Sequence, residues 1–119
     1  IVVDRVRTAK KRAAVWSLDY IAEDIMDEAT IKEYLADDYS LYQFLRDRMN
    51  LSITRGEAQL YPISATTTMA NKLHIRKGIP LMRITQTDFL SSNQPILYSM
   101  EYHLPDLFLF TVHRKGPHW

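Results

Sequence analysis

Apolar and polar residues alternate most clearly over residues 14–20, where Trp16, Leu18 and Tyr20 are interleaved with Ser17 and Asp19. A period of two marks a half-buried strand. Residues 1–8 are rich in β-branched side chains, and the polar stretch Lys10-Lys11-Arg12 lies between the two runs, so together they predict a hairpin. The acidic stretch 21–37 carries a mixed helical pattern with Ile25, Ile31, Tyr34 and Leu35 as its apolar positions. A cleaner helix is predicted over 40–49. There Ser40 can cap, Gln43 follows three residues later, and Leu41, Phe44, Leu45 and Met49 form one stripe. Residues 51–63 read as extended around Gly56 and Pro62. A short helix capped by Ser64 is expected over 64–74, ending before the turn at Lys77-Gly78. Three strands are then expected, at 79–90, 94–103 and 107–113.

Two segments echo each other. AVWSLDY at 14–20 and ILYSMEY at 96–102 agree position by position as aliphatic, aliphatic, aromatic, Ser, aliphatic, acid, Tyr. Each follows a strand and a polar turn. The expectation is a pseudo-symmetric α+β domain, built on an antiparallel sheet with helices packed on one face.

With 119 residues the chain has the length of one domain, and its 46% hydrophobic and 24% charged content is that of a globular protein. A formal net charge of +1 is a poor match for a domain that binds nucleic acid alone, which needs a basic surplus to neutralise phosphates. The absence of cysteine excludes disulfides, thiolate metal sites and cysteine nucleophiles, and suits a cytoplasmic protein. No apolar run reaches the length of a membrane span. Because Ile1-Val2-Val3 opens inside a strand pattern, the chain is expected to be a piece of something longer.

Little in the sequence points to catalysis. Gly-rich phosphate loops, G-x-S-x-G and H-E-x-x-H are absent, and His74, His103, His113 and His118 lack metal-ligand spacing. Neither a metal nor a cofactor is expected. The acid pairs Glu23-Asp24 and Asp37-Asp38 read as solvated. Arg5 and Arg7 carry more information. Two apart on a strand, they share a face with Val3, while Asp4 and Val6 take the other. Two guanidinium forks on one face can clamp a phosphate or carboxylate, although they could equally just solvate an exposed sheet. An odd-numbered loop centred on Lys11 would set Ser17 opposite Arg5; a two-residue loop would set Trp16 there.

Residues 61–102 resemble the second half of a UTRA domain, the effector-binding domain of GntR-type transcription regulators of the HutC subfamily. The resemblance rests on Ala70 and Leu73 in a helix, Gly78, Pro80 and Leu81 at a turn, and Pro95, Ile96, Tyr98 and Ser99 after the next turn. The first half fits too, with D-R-V-R at 4–7 and S-L-Y at 40–42. The resemblance implies a chorismate-lyase-like fold with a ligand pocket against the sheet. Arg5 and Arg7 would then hold the anionic part of an effector, and Ser40 and Tyr42 at a helix start would add hydroxyls, where an anion is also favoured physically. Ser17 stands where sugar-phosphate-binding relatives often carry Glu, and HLPDLF at 103–108 keeps Asp106 and Phe108 of a terminal element while losing its arginines. The turn at Lys10-Lys11-Arg12 lacks the family's Gly.

Tyr98 and Tyr102 complete the candidate set of ligand contacts, although strand aromatics more often pack than bind. Ser40 is a helix cap whether or not a ligand exists. The function implied is that of a small-molecule-sensing, homodimeric domain of a bacterial regulator. It would bind an anionic metabolite, a sugar phosphate or organic acid, and meet DNA only through an upstream winged-helix domain. Two other classes stay open. An enzyme of the chorismate-lyase-like fold would need a general base beside the arginines, and a purely structural dimerisation module would fill its pocket with side chains.

Overall fold

The computed structural model describes residues 1–36, 40–107, 109–113 and 115–116. Its elements are β1 (Val2–Ala9), β2 (Arg12–Ile21), α1 (Glu28–Ala36), α2 (Leu41–Met49), β3 (Ile53–Ser64), α3 (Thr67–Leu73), β4 (Pro80–Leu90) and β5 (Pro95–His103). The strands form one antiparallel sheet in the order β1-β2-β5-β4-β3. The α+β class and the antiparallel sheet are as expected. Asp37, Asp38, Phe108 and His118 lie outside the described residues.

The hairpin of β1 and β2 resolves the open register in an unexpected way. Its turn is a two-residue one at Lys10-Lys11, both with positive φ (52° and 64°), and Ala9 pairs with Arg12. Such mirror-image turns match the twist of the strands they join. A two-residue turn alone would oppose Arg5 with Trp16. Between Arg7 and Thr8, however, the register shifts, with Arg7 facing Val15 and Thr8 facing Ala13. Ala14 is the extra, wholly buried residue of this bulge, and beyond it Arg5 faces Ser17. The bulge, and not the loop length, decides which side chain meets Arg5.

The echoed segments lie in two neighbouring interior strands. β2 and β5 pair antiparallel with Leu18 opposite Met100, the two residues that also match in the echo. A local twofold axis through that pair exchanges Ser17 with Ser99 and Asp19 with Glu101. The register agrees, since Ser17 faces Glu101 and Asp19 faces Ser99.

Three expectations need correcting. Residues 107 and 109–113 form no strand: Leu107 donates back to the Leu104 carbonyl in a turn, and Leu109 and Val112 are 92% and 79% exposed. A strand returning from β5 would need a free edge there, and β2 and β4 occupy both. The cap of α3 is Thr66, whose hydroxyl accepts from the Met69 amide; Ser64 is still in β3, opposite Pro80. Finally, the helices divide between the two faces. α1 and α2 bury Ile31, Tyr34, Leu41, Phe44 and Leu45 with Val3, Ile21 and Leu97 on the face that carries Arg5. α3 packs on β2 from the other side, where Leu73 joins Trp16 and Tyr102, and Lys72 reaches Asp4. Asp4 and Trp16 have the opposite parity from Arg5 and Ser17, so one sheet carries two separate cores.

Candidate functional site

α2 begins where its sequence dictates. Ser40 adopts an extended conformation and its hydroxyl accepts the Gln43 amide at 3.1 Å, satisfying one free N–H of the first turn. The apolar stripe then presses Leu41, Phe44 and Leu45 inward, which leaves Ser40 and Tyr42 at the rim of a hollow above the sheet. The hollow is a cavity of about 540 Å³, within the usual range for a small-metabolite site.

Its floor follows from strand alternation. One cross-strand row runs Arg5, Ser17, Glu101, Ile84, and the next runs Val3, Asp19, Ser99, Gln86. Asp88 lies one row further along β4, opposite Leu97 and Gly56. Arg5, Arg7, Asp19, Ser99, Glu101, Gln86, Asp88 and Leu97 line the cavity from the sheet, and Tyr34, Ser40, Leu41 and Tyr42 line it from the helices.

Charged partners are already matched at one end. Arg5 Nη2 donates to Asp19 Oδ2 at 3.2 Å, and the guanidinium lies 5.5 Å from the centre of the Tyr34 ring. Arg7 is looser, 3.9 Å from Glu101 Oε2 and half exposed. Glu101 Oε1 is hydrogen-bonded to His103 Nε2 at 3.0 Å. Burial pushes the Asp19 carboxyl above its ordinary value, opposed by the hydrogen bond and charge of Arg5. Glu101 moves the other way, lowered chiefly by the His103 hydrogen bond against its own burial. Arg5 Nε and Ser17 Oγ are buried without a hydrogen-bond partner among the described residues.

At the other end Asp88 is 1% exposed. Its Oδ1 accepts from the Tyr42 hydroxyl at 2.8 Å and from Gln86 Nε2 at 2.7 Å, and Gln86 also donates to the Tyr42 oxygen at 2.9 Å. Burial, followed by the bond to Asp88, raises the Tyr42 hydroxyl well above its ordinary value, so it remains a neutral donor. Gly56 makes room for this triad: a Cβ there would stand 2.8 Å from Asp88 Oδ1.

Of the residues singled out from sequence, Arg5, Arg7, Ser40 and Tyr42 meet around the cavity. Ser17 lies on the same face but is sealed beneath it. Tyr98 and Tyr102 point to the opposite face, where Tyr98 neighbours Tyr20 and Tyr102 stacks on Trp16 at 5.1 Å. Alternation with Ser99 and Glu101 forbids them the cavity. The acids Asp19 and Glu101 were missed, although they hold the acid position of the echo, two residues from a Ser on the same face. Asp88 and Gln86 carry no signal beyond strand parity and the glycine opposite. Among the described residues no group of three or more His, Asp or Glu could hold a metal ion, and no helix is long and apolar enough to cross a membrane.

Comparison with known proteins places the chain. Residues 1–108 match the UTRA domain family. The HTH-type transcriptional repressor NagR of Bacillus subtilis is 25% identical over 108 residues, covering 91% of this chain and 43% of that protein. The chain thus spans less than half the length of that relative. Among solved structures, the ligand-binding domain of a GntR-family regulator from Bordetella bronchiseptica superposes with a TM-score of 0.88 at 16% identity, covering 96% of this chain and 73% of that one. PhnF from Mycobacterium smegmatis gives 0.86 at 16% identity, over 98% and 50% of the two chains. At these identities the structures speak for the fold.

Proposed function

The chain belongs to the UTRA family, the ligand-binding regulatory domain of GntR-family regulators, and from that premise we propose that it senses a small metabolite bearing an anionic group. The observation that carries this reading is the cavity itself. It stands open at about 540 Å³, and two arginines, a capping serine and the start of a helix all line it. Among the described residues, Arg5 Nε has no acceptor and the ion pair of Arg7 is a long contact to Glu101. A phosphate or carboxylate there would gain charge-assisted hydrogen bonds and the favourable end of the α2 dipole. Sugar phosphates and organic acids are the natural classes.

Ligand binding switches a regulator only if the two arrangements of the assembly bind it with different affinity. The reading is therefore of a cytoplasmic homodimer in which occupancy resets the placement of two upstream winged-helix domains on DNA. The exposed Leu109 and Val112 beyond β5 and the free edges of β1 and β3 supply surface for a second copy. An enzymatic reading has less support, because the carboxylates beside the arginines, Asp19 and Glu101, are engaged by Arg5 and His103. A ligand-free structural module has less support too, since the cavity is not filled by side chains.

The test is a thermal-shift screen of sugar phosphates, organic acids and amino acids, joined to sedimentation. Specific binders raise the unfolding midpoint by mass action, and the chain sediments as a dimer that Leu109→Asp or Val112→Asp weakens. A screen in which no anionic compound moves the midpoint overturns the reading.

A further inference from the structure

The cavity holds more carboxyl groups than guanidinium groups. Arg5 and Arg7 face Asp19, Glu101 and Asp88, and the first two acids are already matched with the arginines. Asp88 is different. It is buried, and among the described residues no Lys, Arg or His pairs with it. Its hydrogen-bond donors, the Tyr42 hydroxyl and the Gln86 amide, are both neutral and both meet Oδ1. A buried carboxylate is costly unless hydrogen-bonded and paired with a cation, and here the hydrogen bonds are present while the cation is not. The opposite end has the complementary shortage, with Arg5 Nε lacking an acceptor among the described residues.

A ligand that brought only negative charge would enter a site where carboxylates already outnumber guanidiniums. A ligand with a charge of each sign would meet both shortages. β1 and β4 are separated by three strand spacings, roughly 14 Å between backbones, and the long arginine side chains reduce the gap to a span that a small metabolite can bridge.

We propose that the ligand of this cavity is zwitterionic, with its anionic group received by Arg5 and Arg7 and a protonated amine received by Asp88. The proposal rests on the anion-sensing reading above and adds the second group. An ammonium offers three donors, which suits a carboxylate whose second oxygen accepts no side-chain hydrogen bond among the described residues. Tyr42 and Gln86 are positioning residues that hold Asp88 towards the cavity, and Gly56 leaves the space in which they do so. The chemical class is therefore an amino acid or an amino-bearing phosphate, in preference to a plain organic acid or a neutral sugar phosphate.

Matched probes test this by calorimetric titration of the chain: L-glutamate against glutarate, phosphoethanolamine against ethyl phosphate, and glucosamine 6-phosphate against glucose 6-phosphate. In at least one pair the amine-bearing member is expected to bind about ten- to a hundred-fold more tightly. Asp88→Asn, which keeps an oxygen for Tyr42 and Gln86, should remove that preference without weakening the amine-free member. Arg5→Ala should weaken both members alike. If Arg5→Ala changes neither while the amine preference persists, the anion reading fails and the amine subsite survives. Equal affinity within every pair, tighter binding of the amine-free members, or no binding by any probe overturns the zwitterion. The wild-type pair comparison decides the matter even if Asp88→Asn does not fold.

Discussion

Arg5 Nη2 lies 3.2 Å from Asp19 Oδ2, so the more buried of the two cavity guanidiniums is held by the protein's own carboxylate. The Arg5 and Asp19 side chains are 30% and 9% exposed, and neither charge is fully hydrated. Arg5→Ala would leave Asp19 desolvated and without its hydrogen-bonded cation. Loss of a charged hydrogen bond of this kind costs on the order of 1–3 kcal/mol, to be read as a lower denaturation midpoint. Arg7, exposed and 3.9 Å from its partner, should cost under about 0.5 kcal/mol when truncated. Both variants should weaken binding of the best thermal-shift hit by about ten- to a hundred-fold. Unchanged affinity in both would remove the arginine site.

On the proposed reading, an incoming anion would have to compete with Asp19 for Arg5. Asp19→Asn should accordingly tighten inorganic phosphate binding several-fold while leaving the Arg7 contribution intact. Phosphate titrations of the wild type and the variant, followed by calorimetry, give the comparison. Weaker binding in the variant would mean that Asp19 orients Arg5 and does not compete for it.

Tyr42→Phe removes the donor to Asp88 and the acceptor for Gln86. The cost should be about 1 kcal/mol of stability, with a smaller loss of ligand affinity than either arginine variant shows. Chemical denaturation and titration of the same sample separate the two effects.

Acid stability should bear the mark of Glu101. Its folded pKa is depressed below 4.5, chiefly by His103, so the unfolded chain binds the proton more readily. The stability it contributes is present above pH 4.5 and is lost as pH falls through the lower, folded value. Asp19, shifted upward, has the opposite sign and cannot produce this loss. Glu101→Gln should flatten the acid limb of midpoint against pH, measured from pH 7 to pH 3. An unchanged limb would place the acid sensitivity elsewhere.

The hairpin turn offers a stabilising change. Lys10 and Lys11 sit at positive φ, a conformation that costs a residue with a Cβ about 1 kcal/mol. Lys10→Asn with Lys11→Gly should raise the midpoint and leave the Arg5–Ser17 register intact, because the bulge at Ala14 sets it. Backbone amide shifts near Arg5 that move on this substitution would show that the turn sets the register.

Much of this protein could be read from the sequence because it depends on local physics. Alternation in AVWSLDY and ILYSMEY marks two strands, the stripe behind Ser40 marks a capped helix, and Arg5 and Arg7 share a face simply because they are two apart. The echo also contained the pseudo-twofold axis, which passes between Leu18 and Met100. Parity could have done more. Tyr98 and Tyr102 alternate with Ser99 and Glu101, and the two sets cannot face one cavity.

The rest was decided by contacts between distant residues. Ala14 became a bulge where the hairpin met its neighbours, and that single inserted residue brought Ser17, not Trp16, opposite Arg5. Leu107 and residues 109–113 have a strand's composition, but β2 and β4 leave β5 without an edge for them. Trp16 drew α3 to one face while Val3, Ile21 and Leu97 drew α1 and α2 to the other, since a sheet with apolar side chains on both faces needs cover on both. Asp88 joins the cavity from a strand 83 positions after Arg5, held by a tyrosine 46 positions away. Periodicity gives each residue its face, but which faces meet depends on the order of strands and on what packs above them.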